Sequence, residues 1–170
     1  MENSEQILKL VQMMQDQINL NQDAFGWMAT GLKKKVEYKG NTDATKKVQD
    51  NLDNLVQYSL LLYLFAMWES YISNELEQQV LTPEEINELK AYKHIRHTGG
   101  HGYKGKRADN NRAAFEDKMN SSKPFAGVDL DEENDTLDLK DSRIGEDCKN
   151  YMEHLTKQIL VRLAGTGATS

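Results

Sequence analysis

The chain has a single cysteine, Cys148, two prolines in 170 residues, and no apolar run longer than the nine residues from Leu60 to Trp68. Each scarcity excludes something. One thiol closes no internal disulfide and offers no thiolate cluster for zinc, so the fold depends on packing and redox chemistry is not expected. A membrane span needs about 20 consecutive apolar residues, and the opening Met1-Glu2-Asn3-Ser4-Glu5-Gln6 lacks a basic stretch followed by an apolar one; no membrane partner and a cytoplasmic location are therefore expected. An excess of basic charge is missing too. With 21 Lys and Arg against 27 Asp and Glu, the formal net charge is −6, so any polyanion has to be held by a local patch. The length and the 38% apolar content fit one domain that buries its own core.

What is present is helical periodicity. From Ser4, the residues Ile7, Leu10, Val11, Met14, Ile18, Phe25, Met28, Leu32 and Val36 recur every three or four positions, one face of a long amphipathic helix. After Lys39-Gly40-Asn41, Thr42 or Asp43 is a cap for a second helix carrying Val48, Leu52, Leu55, Val56, Leu62, Phe65, Trp68, Ile72 and Leu76. Its middle is apolar nearly all round, which predicts a central core helix. Thr82-Pro83-Glu84-Glu85 is a capping box with proline in the first turn, and it opens a third helix through Ile86, Leu89 and Ile95. Gly99 and Gly100, each costing about 1 kcal/mol in a helix interior, predict an end or distortion there.

Asp109 to Met119 reads as a shorter helix with Ala113, Ala114 and Phe115 inward, and Ser121-Ser122-Lys123-Pro124 as a connection. Val128 and Leu130, then Leu137 and Leu139, flank an acidic turn and predict a small accessory hairpin with one dry face. A last helix from Ser142 carries Ile144, Cys148, Met152 or Tyr151, Leu155, Ile159 and Leu163. The expected architecture is all-α: an up-and-down bundle of about five helices with a β-hairpin before the last one, a single domain over residues 1–164, and a flexible polar tail over 165–170.

Chemistry concentrates between Lys90 and Arg112. Seven Lys or Arg (90, 93, 96, 104, 106, 107 and 112) face one acid, Asp109, and three of the four histidines join them. The plain reading is a solvated helix end whose cations favour the macrodipole. The sharper feature is Arg96-His97-Thr98-Gly99-Gly100-His101-Gly102-Tyr103. Cleaving RNA without metal calls for an imidazole to move protons at the 2′-hydroxyl and the leaving 5′-oxygen, and for a guanidinium to grip the phosphate as charge builds on it.

On an unbroken helix, residues five apart stand about 140° from each other, so Arg96 and His101 converge on one phosphate only if the glycines distort the helix. Were the helix to continue, His94, His97 and His101 would share a face suited to zinc. The expected break argues against that, and no metal or other cofactor is expected. Lys93, Lys104, Lys106 and Arg107 are candidates to track the phosphate backbone, and Tyr103 to pack or stack on a base beside the cleft. Positions 55, 62, 69 and 76 stack as Leu, Leu, Glu, Leu. Either Glu69 is buried and paired with Arg96 or a histidine, or the stripe turns to solvent.

Arg96-His97-Thr98-Gly99-Gly100-His101 resembles the motif of the HEPN superfamily of ribonucleases: arginine, a polar residue, three variable residues, histidine. The helix bearing Phe65-Ala66-Met67-Trp68-Glu69-Ser70-Tyr71-Ile72, about 25 residues upstream, is similar to the one that precedes the motif in several bacterial HEPN families. The similarity spans about residues 45–163. The resemblance implies a metal-independent endoribonuclease, a toxin or antiviral effector, acting as a homodimer whose two motifs meet in one cleft. It gives Arg96 and His101 the catalytic roles, with His97 at the polar second position and Glu69 as the upstream acid. His97 replaces the commoner asparagine or aspartate, leaving open whether it positions His101 or itself carries a proton. Tyr103 matches a longer motif in toxins silenced by nucleotidylation of that tyrosine, implying an antitoxin or regulatory partner. The rivals are a catalytically inactive HEPN-like module binding RNA, a nucleotide or a protein through the same groove, and a purely structural helical partner.

Overall fold

The computed structural model describes residues 42–103, 106–139 and 141–166, together with Lys9, Met13 and Asp16; side chains are described outside 42–53, 100–101, 106–110 and 164–166. The amphipathic helix read over residues 4–36 lies outside the described residues except at Lys9, Met13 and Asp16, which are helical. Five helices and one hairpin follow: α1 (Thr42–Tyr71), α2 (Asn74–Val80), α3 (Pro83–His101), α4 (Lys106–Met119), β1 (Asp129–Asp131), β2 (Thr136–Asp138) and α5 (Ile144–Thr166). The fold is mostly helical with a two-stranded antiparallel hairpin before the last helix, as expected.

The core is built where three helical faces meet. Leu61, Leu64, Phe65, Trp68 and Ile72 of α1 meet Leu89, Tyr92 and Ile95 of α3 and Ile144, Cys148, Met152, Leu155 and Ile159 of α5, all buried. Burying a side chain of this size contributes about 1.5–3 kcal/mol, so these three faces hold the molecule together. Burial also pushes the Cys148 thiol well above its ordinary pKa, with Asp147 adding to the shift, which keeps it an inert thiol.

Four expectations need correction. The second helix does not run to Leu76: it stops at Tyr71, and Ser73 in extended conformation accepts a hydrogen bond from Leu76 N–H to start α2. Ala113 is exposed and only Ala114 and Phe115 point inward, because a helix cannot bury three consecutive positions on one face. The last helix reaches Thr166, past the expected start of the tail at Gly165. The hairpin is no accessory. Leu130 pairs with Leu137 across it, and the Tyr58 hydroxyl of α1 donates to Leu137 O (2.9 Å), accepts from Leu137 N–H (3.3 Å) and lies 3.1 Å from the Thr136 hydroxyl. Val128, Leu137 and Leu139 are buried while Leu130 stays 45% exposed. Among the described residues no helix is long and apolar enough to cross a membrane.

Candidate functional site

The site is carried by the C-terminal half of α3, and both ends of that helix are fixed. At the start, the Thr82 hydroxyl accepts from Glu85 N–H (3.3 Å) and Glu85 accepts from Thr82 N–H (2.8 Å), the expected capping box. Arg162 of α5 clamps Glu85 through both carboxylate oxygens at 2.7 Å and holds its pKa below the ordinary value.

At the other end the expected break does not occur: α3 runs through both glycines to His101 and stops only at Gly102, whose φ of 73° is a left-handed value suited to glycine. Gly99 serves close packing instead of bending. A Cβ there would lie 2.5 Å from the Tyr58 ring, and that ring is held by its hydroxyl, 3.1 Å from the Thr98 hydroxyl as well as on the hairpin. The helix tolerates the glycine so that α1 can approach. On such a continuous helix, backbone positions five apart stand about 140° from each other, so the helix break on which the expected convergence relied is not found.

Arg96 is the centre of a cluster. Its guanidinium carbon lies 4.9 Å from the centroid of the buried Phe65 ring, Nη1 donates to Glu69 Oε1 at 2.8 Å, and Nη2 lies 2.8 Å from His97 Nε2. Stem and head are mostly covered, with 14% of the side chain exposed, while Glu69 remains 45% exposed. This answers the question about Glu69 in an unforeseen combination: the stripe is solvent-facing, with Leu55 and Leu62 each 56% exposed, yet Glu69 does hold Arg96. A guanidinium has only donors, so His97 Nε2 must accept. While that contact holds, the His97 ring carries its proton on Nδ1, and Nε2 braces the Arg96 head.

The remaining sequence candidates divide. Lys93 lies elsewhere: its Nζ is 2.9 and 3.1 Å from the two oxygens of Glu77, and Trp68 Nε1 donates to the same carboxylate at 2.6 Å. Glu77 is the buried acid of this face, which the sequence reading missed; Ser73-Asn74-Glu75, a cap followed by an acid, was the signal that α2 begins anew and turns Glu77 inward. Lys104 and the side chains of His101, Lys106 and Arg107 lie outside the described residues.

His94 is a core histidine, fully buried, with its ring 5.1 Å from that of Tyr103 and 5.0 Å from that of Phe115. The continuous helix meets the geometric condition for a histidine metal face, but the His97 Nε2 lone pair is committed to Arg96. Among the described residues no group of three or more His, Cys, Asp or Glu is placed to hold a metal ion. Tyr103 donates to Glu116 Oε1 at 3.1 Å, and burial first, then that carboxylate, raises its pKa. No family model, characterised protein or solved structure matches the chain.

Proposed function

We propose that the chain is a metal-independent endoribonuclease of the HEPN type, acting as a homodimer with a composite active centre. The observation that carries the reading is the Arg96 cluster. A guanidinium oriented by Glu69, His97 and Phe65 sits one and a half turns before His101 on a continuous helix. Arg96 has five N–H donors, of which two have partners among the described residues; the others suit a phosphate. Because one helix separates Arg96 from His101, the scissile phosphate is gripped by Arg96 of one protomer and met by His101 of its partner. Leu55, Leu62 and Ala66 form an exposed strip on α1 that continues into Glu69, and a second copy packed along it brings the two clusters toward one twofold axis.

In the reaction, the partner's His101 takes the proton of the RNA 2′-hydroxyl as its oxygen attacks phosphorus. The P–O5′ bond breaks, the proton taken up by that His101 passes through water to the leaving 5′-oxygen, and Arg96 stabilises the charge on the non-bridging oxygens. The products are a 2′,3′-cyclic phosphate and a 5′-hydroxyl. By the HEPN resemblance, the role is that of a toxin or antiviral effector restrained by an antitoxin or regulatory protein. The test is purified protein with total RNA in EDTA, with His101→Ala as the control for contaminating nuclease. Cleavage leaving cyclic phosphate ends, absent in the variant and on an all-deoxy strand, is the expected result. Equal cleavage by wild type and variant, or full dependence on a divalent metal, contradicts the reading.

A further inference from the structure

Just past the proposed catalytic segment, Tyr103 after α3, helix α4 and the hairpin with Val128 before it line a partly open cavity of about 240 Å³ that the proposed chemistry does not use. Its floor is buried and apolar: Phe115, Val128 and Leu137. Tyr103 lines it, and exposed Glu116 and Leu130 also contribute to its lining. The Glu116 carboxylate is only partly engaged. Tyr103 Oη donates to Oε1 at 3.1 Å and Arg112 Nε stands 3.9 Å from the same oxygen, so among the described residues Oε2 has no hydrogen-bond partner.

We infer that this cavity is a guanine-binding subsite, holding the base next to the scissile phosphate and giving the nuclease a preference for cutting beside G. The inference rests on the ribonuclease reading for its place in the reaction, but the chemistry of the pocket stands by itself. An apolar cavity lined by a tyrosine ring takes an aromatic heterocycle, and every base satisfies that requirement. A carboxylate at the edge does discriminate. Guanine presents two parallel donors, N1–H and the N2 amine, to the two oxygens of a carboxylate. Adenine presents one donor beside an acceptor, which a carboxylate repels. Uracil and cytosine present a single donor on that edge. The pocket also stands at the right distance, because Tyr103 is two residues after His101 and so within about 7.6 Å of it along the chain, the span of one nucleotide step.

The test uses the full-length His101→Ala protein, so that no cleavage intervenes. Guanosine and adenosine 5′-monophosphates are titrated separately while methyl resonances of Met119, Leu130 and Val128 are followed by NMR, with arginine amide as a probe carrying parallel donors without the ring system. Guanosine monophosphate is expected to shift these resonances and to bind at least about tenfold more tightly than adenosine monophosphate, in line with a bidentate contact. Glu116→Gln, which replaces one acceptor by a donor, should erase that ratio while leaving the folded spectrum intact. Equal affinity for the two nucleotides, shifts confined to other residues, an unchanged ratio in Glu116→Gln, or arginine amide competing as well as the nucleotide would overturn the inference. A guanine preference in binding without any RNA cleavage by wild type leaves the subsite standing and removes the nuclease reading; cleavage without base preference does the reverse.

Discussion

Two acid–base pairs cross from the α1–α2 segment to α3, and they are built to opposite specifications. Glu77 and Lys93 are closed in, with side chains 6% and 12% exposed, and Trp68 Nε1 adds a third hydrogen bond to the carboxylate. Glu69 and Arg96, three residues further along α3, are open on the acid side, 45% exposed, while the arginine head is braced by His97 and the Phe65 ring. A closed pair of this kind contributes order, since removing one partner strands a charge in a low dielectric. An open acid contributes little to stability, while the guanidinium it holds is mostly covered, 14% exposed, and fixed in orientation. The comparison separates the pair that holds α2 in place from the pair that carries the proposed site.

The largest expected effect comes from breaking the open pair on its functional side. Arg96→Ala should reduce RNA cleavage by about 10²–10³, the scale for losing one preorganised charge contact, while costing only about 1 kcal/mol of stability; single-turnover cleavage and a urea titration read the two separately. Glu77→Ala should show the converse, losing about 3 kcal/mol in the urea titration because Lys93 is left buried and unpaired, with the cleavage rate of the folded fraction unchanged. Gly99→Ala tests the packing that keeps α3 straight between them. With the new methyl 2.5 Å from a ring that is pinned by its hydroxyl, overpacking should cost about 1–3 kcal/mol.

The smallest effect belongs to the third pair, Glu85 with Arg162. The lowered pKa of Glu85 means its contribution is present above the unfolded value of 4.5 and lost as pH falls through the folded value. Glu85→Gln should therefore lower the thermal midpoint at neutral pH by an amount equivalent to about 1 kcal/mol and flatten the acid limb of the stability profile below about pH 4.5.

The elements legible in the sequence were those set by local chemistry. Thr82, Pro83 and Glu85 fix the start of α3 through contacts within four residues of one another, and Ile144 to Ile159 announce the inward face of α5 by spacing alone. What the sequence hid depended on distant partners. The Gly99-Gly100 pair has the composition of a break, yet the helix persists because Tyr58, forty residues away, packs where a side chain would be. Leu55 and Leu62 look like core by hydrophobicity, and only the rotation of α1 set by Leu61, Phe65 and Trp68 shows them facing out. For the site, the pairing of Glu69 with Arg96 was one of two readings left open, whereas the Nε2 contact that fixes the His97 tautomer, and the inward turn of Glu77 after Ser73, arise from tertiary placement that no spacing rule encodes.

The central claim is the proposal that Arg96 and His101 meet across two subunits, argued from the continuous helix that carries both positions. Subunit complementation tests it most directly. Arg96→Ala and His101→Ala chains, each inactive alone, are co-expressed with different tags and purified as the mixed dimer, and RNA cleavage is measured. Restored cleavage, from the one cleft that pairs an intact Arg96 with an intact His101 of the other chain, is the expected result. A verified mixed dimer that remains as inactive as either parent would contradict the composite site.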